Sequence, residues 1–119
     1  MKYLIVALSL TATPALAGFE CAIERQCGGG ACEPFAGGPL LLNETGDGWE
    51  VSMDGATWSG YPASTVTDGG EVAIVIPPQG GVTGLISVYP SGDVSFTVHA
   101  YGDQAVAITG QGKCTTAGG

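Results

Sequence analysis

The chain has 119 residues, of which 3 are basic and 11 acidic, so its formal net charge is −8. This balance argues against binding to nucleic acid, which needs lysine and arginine to displace counterions from phosphates, and against docking on anionic lipid. The length indicates a single domain. The 21 glycines lie mostly in pairs or triplets between apolar runs, which is typical of turns between strands.

Residues 1–17 have the features of an export signal. Lys2 supplies a positive start, residues 4–10 form a short apolar run, and Ala15-Leu16-Ala17 is a small-x-small cleavage site. The apolar run is shorter than the roughly 20 residues that a membrane span needs. We therefore expect cleavage after residue 17 and a mature form with no membrane span.

Cleavage at that point leaves 102 of the 119 residues and removes Lys2, so two basic and eleven acidic residues remain, a formal charge of −9. We expect the mature chain to be an acidic monomer in the periplasm or outside the cell. Its organisation is predicted as one β-domain over residues 18–114, followed by a flexible tail over residues 115–119.

Residues 84–114 show the clearest strand pattern, because apolar and polar residues alternate with a period of two. A three-residue loop at 90–92, with Gly92 at positive φ, and a turn at 102–104 would place three strands side by side. Thr97 and His99 then face outward. The expected cross-strand pairs are Val88 with Val94, Ile86 with Phe96, Ser87 with Ser95, Val98 with Ile108 and Ala100 with Val106.

Asp54-Gly55 predicts a third hairpin, because this dipeptide is the strongest two-residue turn signal. Pairing across it places both tryptophans on the inner face, where we interpret them as core anchors. The expected pairs are Met53 with Ala56, Val51 with Trp58 and Trp49 with Gly60.

Three other segments are less regular. Residues 40–42, all leucine, are interpreted as a short buried run, and residues 33–39 as a loop or an edge. Residues 72–76 are apolar on both faces, which is typical of a strand covered on both sides. Pro77-Pro78 is expected to end that strand, since proline has no amide hydrogen to donate.

These patterns predict an all-β fold, either a small antiparallel β-sandwich or a flattened β-barrel of about six to eight strands, stapled by disulfides. In general style, the chain resembles short exported bacterial proteins that carry a cysteine at each end of a β-domain. That resemblance assigns no role to any residue.

The four cysteines are expected to form two disulfides, because their number is even and the chain is exported. We favour Cys27 with Cys32, which closes a local loop, and Cys21 with Cys114, which ties the first strand to the last. Structural zinc would need a second close cysteine pair or more histidines. A redox pair would need Cys-x-x-Cys at the start of a helix.

One segment partly matches a calcium loop. Oxygen-bearing side chains at Asn43, Thr45 and Asp47 precede Gly48, and Asp54 stands at the twelfth position. The first position is Asn rather than Asp, the last is Asp rather than Glu, and a strand follows where a helix is required. We therefore predict no metal site and no cofactor, and retain Asp47 as a surface binding candidate.

His99 is the only histidine and the one side chain that titrates near neutrality. As a general base it would need an orienting group and a nucleophile, and no Gly-x-Ser-x-Gly elbow is present. We predict no catalytic residue, and consider His99 and Tyr89 as surface or binding residues.

Three function classes remain open. The first, which we favour, is a non-catalytic binding or accessory module that offers an acidic surface to a basic protein or an envelope component. The second is an inhibitor of a cationic secreted enzyme such as a lysozyme, acting through residues 28–33 or 43–48. The third is a small hydrolase or carbohydrate-binding protein that uses His99, Tyr89 or Tyr101.

Overall fold

Every regular element is a β-strand in the residues that the computed structural model describes, 17–63 and 69–117, which confirms the all-β class. No described residue belongs to a helix that could cross a membrane. The export signal expected over residues 1–17 lies outside the described residues except for Ala17. The strands are β1 (Gly18–Gly28), β2 (Ala31–Pro34), β3 (Leu40–Glu44), β4 (Trp49–Met53), β5 (Ala56–Pro62), β6 (Val72–Gln79), β7 (Val82–Val88), β8 (Asp93–Tyr101) and β9 (Ala105–Thr116).

The strands form one antiparallel sheet that closes on itself. From β3 to β9 each strand pairs with the next, and β1 pairs with both β3 and β9. Eight strands therefore make a closed barrel, and β2 is an additional strand paired with the second half of β1. Of the two architectures expected, the barrel is the one that forms, and among the described strands the short β2 lies at the edge of the sheet.

Because neighbouring strands run in opposite directions, their connections lie at two ends of the barrel. We call the end that holds Gly18, Gly92 and Thr116 the base, and the end that holds Gly55 and Gly81 the mouth. β9 reaches Thr116, two residues beyond the expected domain end, because residues 115 and 116 pair with β1.

All three hairpin registers predicted from the sequence are confirmed. Asp54 and Gly55 have φ values of 50° and 83°, as a two-residue turn with both central residues at positive φ requires. Gly92 has a φ of 92° in the β7–β8 loop. The pairs found are Met53 with Ala56, Val51 with Trp58, Trp49 with Gly60, Val88 with Val94, Ile86 with Phe96, Ser87 with Ser95, Val98 with Ile108 and Ala100 with Val106.

The base half of the barrel is filled by side chains. Trp49 is buried there, as predicted, and its indole stacks on Phe19 with ring centroids 6.2 Å apart. Eight-stranded barrels are just wide enough for inward side chains to fill them. The fully buried side chains are Cys21, Leu42, Val51, Ile74, Ile86 and Val94.

The structure corrects three expectations, which concern residues 40–42 and 72–78. The side chain of Leu41 faces outward and is 36% exposed, while its two neighbours are buried, so residues 40–42 alternate as a barrel strand does. β6 is not covered on both faces, because Val75 is also 36% exposed on the outer wall. Pro77-Pro78 does not end β6, which continues to Gln79 through a register irregularity.

The side chain of Gln79 connects β5 and β6 where these prolines interrupt the pairing of the two strands. β5 and β6 pair through only two residue pairs, Tyr61 with Val75 and Pro62 with Ile74. Nearer the mouth, the Gln79 carboxamide accepts a hydrogen bond from the Ser59 backbone N–H at 3.0 Å and donates to the Ser59 carbonyl at 2.8 Å. It also donates to the Pro77 carbonyl at 3.0 Å. One side chain thus replaces the ladder bonds that proline cannot make.

Both disulfides are present in the pairing that the sequence favours, and in each the two cysteines lie directly opposite on paired strands. Cys21–Cys114 joins β1 to β9 near the base. Cys27–Cys32 lies across the hairpin of β1 and β2, so the four residues between these cysteines are not an open loop but the paired Gly28 and Ala31 with a two-residue turn. Two disulfides indicate an oxidising environment outside the cytosol.

Candidate ligand-binding cup

The mouth half of the barrel encloses an apolar cavity of about 200 Å³, which we call the cup. Its floor is formed by four buried side chains, Leu40, Val51, Ile76 and Ile86. Above them the wall consists of half-exposed or partly exposed apolar side chains that point inward. These are Met53, Trp58, Val82, Phe96, Val98 and Ile108.

The cup follows from the alternation of side chains along each strand. Inward positions around the cup are apolar up to the mouth except at Gln26, so the apolar interior of the barrel continues into the cup. Trp58 faces inward as predicted, but it lines the cup and is only half-buried, unlike Trp49 at the base. The interpretation of both tryptophans as core anchors therefore holds for Trp49 alone.

Glycines on β9 shape one side of this interior. The Phe96 ring lies against Gly110, so a Cβ at that position would overlap the ring. Because Gly110 has no side chain, Phe96 can lie close to the β9 backbone and leave space beside it. The width of the cup therefore depends on a small residue in β9 as well as on the large residues around it.

The loop after β2 places an aromatic ring at the mouth. Phe35 donates its backbone N–H to the Glu24 carbonyl at 3.2 Å, and the Gly38 N–H donates to an Asp54 carboxylate oxygen at 2.9 Å. The Phe35 ring packs so closely over Gly37 that a Cβ there would overlap it. Asp54 therefore has two roles, as a turn residue and as the anchor of the loop that carries Phe35.

A bulge in β1 determines which side chain completes the lining. Phe19, Cys21 and Ile23 alternate on the inner face, and simple continuation would turn Arg25 inward. The register shifts between Ile23 and Arg25, so that Arg25 pairs with Gln111 and Gln26 pairs with the inward-facing Gly110. Bulges commonly re-aim a side chain in this way. Gln26, not Arg25, lines the cup, and it is the one polar side chain in that lining.

Charged groups lie outside the cup. At the base, Lys113 forms an ion pair with Asp93. The hydrogen bond from Lys113, with a second from the Ser91 hydroxyl, lowers the pKa of the Asp93 carboxyl below its usual value. Both side chains are well exposed, so this pair contributes little to stability. Since the lining of the cup contains no titratable group, we expect it to keep the same character across neutral pH.

The structure does not bring the sequence-derived candidates together. His99 is exposed on the outer wall near the mouth, opposite Thr83 and Ala107, and lines a shallow groove on that wall. Tyr89 and Asp47 are exposed in connections at the base. Neither of them is near the mouth, and none of the three residues lines the cup.

The partial calcium motif is split by β4. Thr45 and Gly48 form a closed turn at the base, with the Gly48 N–H donating to the Thr45 hydroxyl at 3.0 Å. Asp54 lies at the mouth, beyond a five-residue strand that spans roughly 17 Å. Asp47 and Asp54 therefore cannot share one ion, and no three His, Cys, Asp or Glu side chains within the described ranges are grouped to hold a metal.

Comparison with known proteins found no matching family model, no matching curated protein and no matching solved structure. Function must therefore be inferred from the cup and from the charge distribution of the chain itself.

Proposed function

We propose that the mature protein is an exported, non-catalytic binding module that holds a small apolar molecule in the cup. The observation that carries this proposal is a cavity of about 200 Å³ at the mouth, lined by twelve residues of which eleven have apolar side chains. Eight-stranded barrels of this kind can hold one small ligand. The export signal and the two disulfides support a location in the periplasm or outside the cell.

The volume restricts the size of the ligand. An engineered apolar cavity of about 150 Å³ accepts a benzene ring. The cup, which is somewhat larger and open at the mouth, would accept one ring with a few additional atoms, or the end of a longer chain. A ligand of seven apolar heavy atoms bound in such a site would have a dissociation constant on the order of 0.1–1 mM.

Toluene tests this proposal directly. We expect saturable binding to the oxidised mature protein, followed by the fluorescence of Trp58 in a Trp49→Phe background, because Trp58 lines the cup and Trp49 lies at the base. The affinity should be unchanged between about pH 5 and pH 9, since no titratable side chain lines the site.

Two substitutions that replace an aliphatic side chain by phenylalanine form a matched pair. Val98→Phe fills the cup and should weaken toluene binding at least tenfold, whereas Leu85→Phe adds the same ring on the outer wall and should leave binding unchanged. Absence of saturable toluene binding to a protein with a cooperative thermal melt would contradict the proposal, as would equal effects of the two substitutions.

A second candidate rests on a different observation. The segment 17–54 carries seven acidic residues and only one basic residue, Arg25. Four of the acids are exposed on the strands β1, β2 and β4, so this wall is acidic; they are Glu20, Glu24, Glu33 and Glu50. Such a wall suits a cationic partner, either an envelope component or a basic enzyme that the protein would inhibit. The two loops considered for inhibition lie at opposite ends of the barrel, residues 28–33 at the mouth and residues 43–48 at the base.

Retention on immobilised basic lysozyme tests this candidate function independently of ligand binding in the cup. An acidic wall that binds the enzyme predicts retention at low ionic strength, release by salt and loss of lysozyme activity in solution. Glu50→Gln on this wall should weaken retention, while Val98→Phe in the cup should not affect it. No retention at low ionic strength would remove the candidate and would leave the proposal for the cup untouched.

A further inference from the structure

The apolar surface inside the barrel continues beyond the lining of the cup. Val106 of β9 has the same phase as Ile108, which lines the cup, so it lies on the inner face at the mouth. Val106 pairs with Ala100, which in turn pairs with Val82 of the cup lining. Because the side chain of Val106 is 42% exposed, a ligand confined to the cup would leave it in water.

Inward positions of β8 form an apolar track from the floor of the cup to the mouth. They are Phe96 at the level of the floor, Val98 in the middle and Ala100 at the mouth. Four residue steps along an antiparallel strand cover about 13 Å. At each of these levels the two neighbouring strands contribute an apolar residue or a glycine, which are Ile86 and Gly110, then Gly84 and Ile108, then Val82 and Val106. The track is therefore longer than a single six-membered ring.

The cup at the lower end of this track has room for one chain and not for two. Its volume of about 200 Å³ is only moderately larger than the roughly 150 Å³ of an engineered cavity that holds one benzene ring. The exposed surface inside the cup is almost entirely apolar. A polar group buried there would lose its hydration without gaining a hydrogen bond, which is costly. The polar end of a ligand is therefore expected to lie outside the mouth.

We propose that the natural ligand is a single-chain amphiphile. Its unbranched hydrocarbon chain lies along the track from the floor to Val106, and its polar head stays in water beyond the mouth. An extended chain needs about ten carbons to cover the roughly 13 Å of the track. The barrel then selects the length and shape of the chain and does not contact the head group. This inference rests on the proposed function, because it names the ligand class of the same cup.

A series of linear 1-alkanols from 1-hexanol to 1-dodecanol measures the length of the track, with binding followed by Trp58 fluorescence in the Trp49→Phe background. Each added methylene should tighten binding about three- to fourfold up to about ten carbons, because each one moves from water to an apolar wall. 1-Dodecanol should bind less than about twofold more tightly than 1-decanol, since its additional carbons lie beyond Val106. Each alkanol should compete with toluene.

Val106→Asn and Val75→Asn form a matched pair, because the two valines are similarly exposed but only Val106 lies on the track. Val106→Asn should weaken 1-decanol binding about three- to tenfold and should change toluene binding by less than about twofold, since toluene is held in the cup. Val75→Asn, on the outer wall, should change neither.

Two kinds of failure are distinguishable. If the affinity of the alkanols stops rising before about eight carbons, or if both asparagine variants bind 1-decanol equally well, the assignment of a chain along the track is wrong while the cup still binds toluene. If toluene fails to bind the unchanged protein, the proposed function itself is wrong.

Discussion

Replacing Cys21 and Cys114 together by alanine should lower the free energy of unfolding by about 4 to 5 kcal/mol, as measured by guanidinium denaturation. This disulfide links residues separated by 93 positions, so it removes much of the conformational freedom of the unfolded chain. It also joins the two strands whose pairing closes the barrel. We expect the doubly substituted protein to be marginally stable or unfolded at 37 °C.

The second disulfide provides the control. Cys27–Cys32 links residues only five positions apart in a hairpin outside the barrel, so replacing this pair by alanine should cost about 2 kcal/mol by the same loop-entropy relation. Each pair is changed together, so that no free thiol remains. A larger loss for the Cys27–Cys32 pair than for the Cys21–Cys114 pair would contradict this description of how the barrel is held closed.

Gly112→Ala should destabilise the protein by about 3 kcal/mol or more. Gly112 lies opposite Ile23 where β1 bulges, and a Cβ at residue 112 would overlap the Ala22 carbonyl oxygen and come within 2.8 Å of the Ile23 Cα. Both neighbours are backbone atoms of a paired strand, so they cannot move aside as a flexible side chain would.

Gly46→Ala is the comparison, because a Cβ at Gly46 would meet no atom within 4 Å and its φ is not positive. Its free energy of unfolding should stay within about 0.5 kcal/mol of the unchanged protein. Hydrogen exchange should also show that Gly112→Ala weakens protection along β1 and β9 first. Equal stability of the two variants would mean that β1 does not approach β9 as closely as the structure shows.

Local signals in the sequence were sufficient to predict the hairpins. Asp54-Gly55 and the loop at 90–92 restrict the backbone through residues that tolerate positive φ, and each is flanked by alternating residues that allow only one register. The same kind of alternation puts Cys21 in phase with Phe19 and Ile23, and Cys114 in phase with Ile108, so both cysteines are expected on the inner face. The pairing of the first and last strands could therefore be inferred from the cysteines.

No local pattern in the sequence indicates that the sheet closes into a barrel. The β5–β6 seam depends on the Gln79 carboxamide, and a glutamine after two prolines has no sequence signature that distinguishes it from a loop residue. Apolar residues on the outer wall, such as Val75, also resemble residues buried between two layers. For these reasons the sequence alone could not separate a sandwich from a barrel.

The cup could not be predicted from the sequence, because it depends on the bulge in β1 and on the closure of the sheet into a barrel. Strict alternation from Phe19 would turn Arg25 inward, and a positive charge there would make the interior a different site. The residue types that usually mark chemistry led instead to His99, Asp47 and Tyr89, which the structure places on the outer wall and at the base. Apolar lining residues look like ordinary core residues in a sequence.

Intermolecular nuclear Overhauser effects between toluene and the oxidised mature protein test the central claim most directly. Binding in the cup predicts contacts from toluene protons to the methyl groups of Ile86 and Val98 and to the indole of Trp58, with none to Leu85 or Val75 on the outer wall. Contacts confined to the outer wall, or none at all at millimolar toluene, would show that the mouth of this barrel is not a binding site.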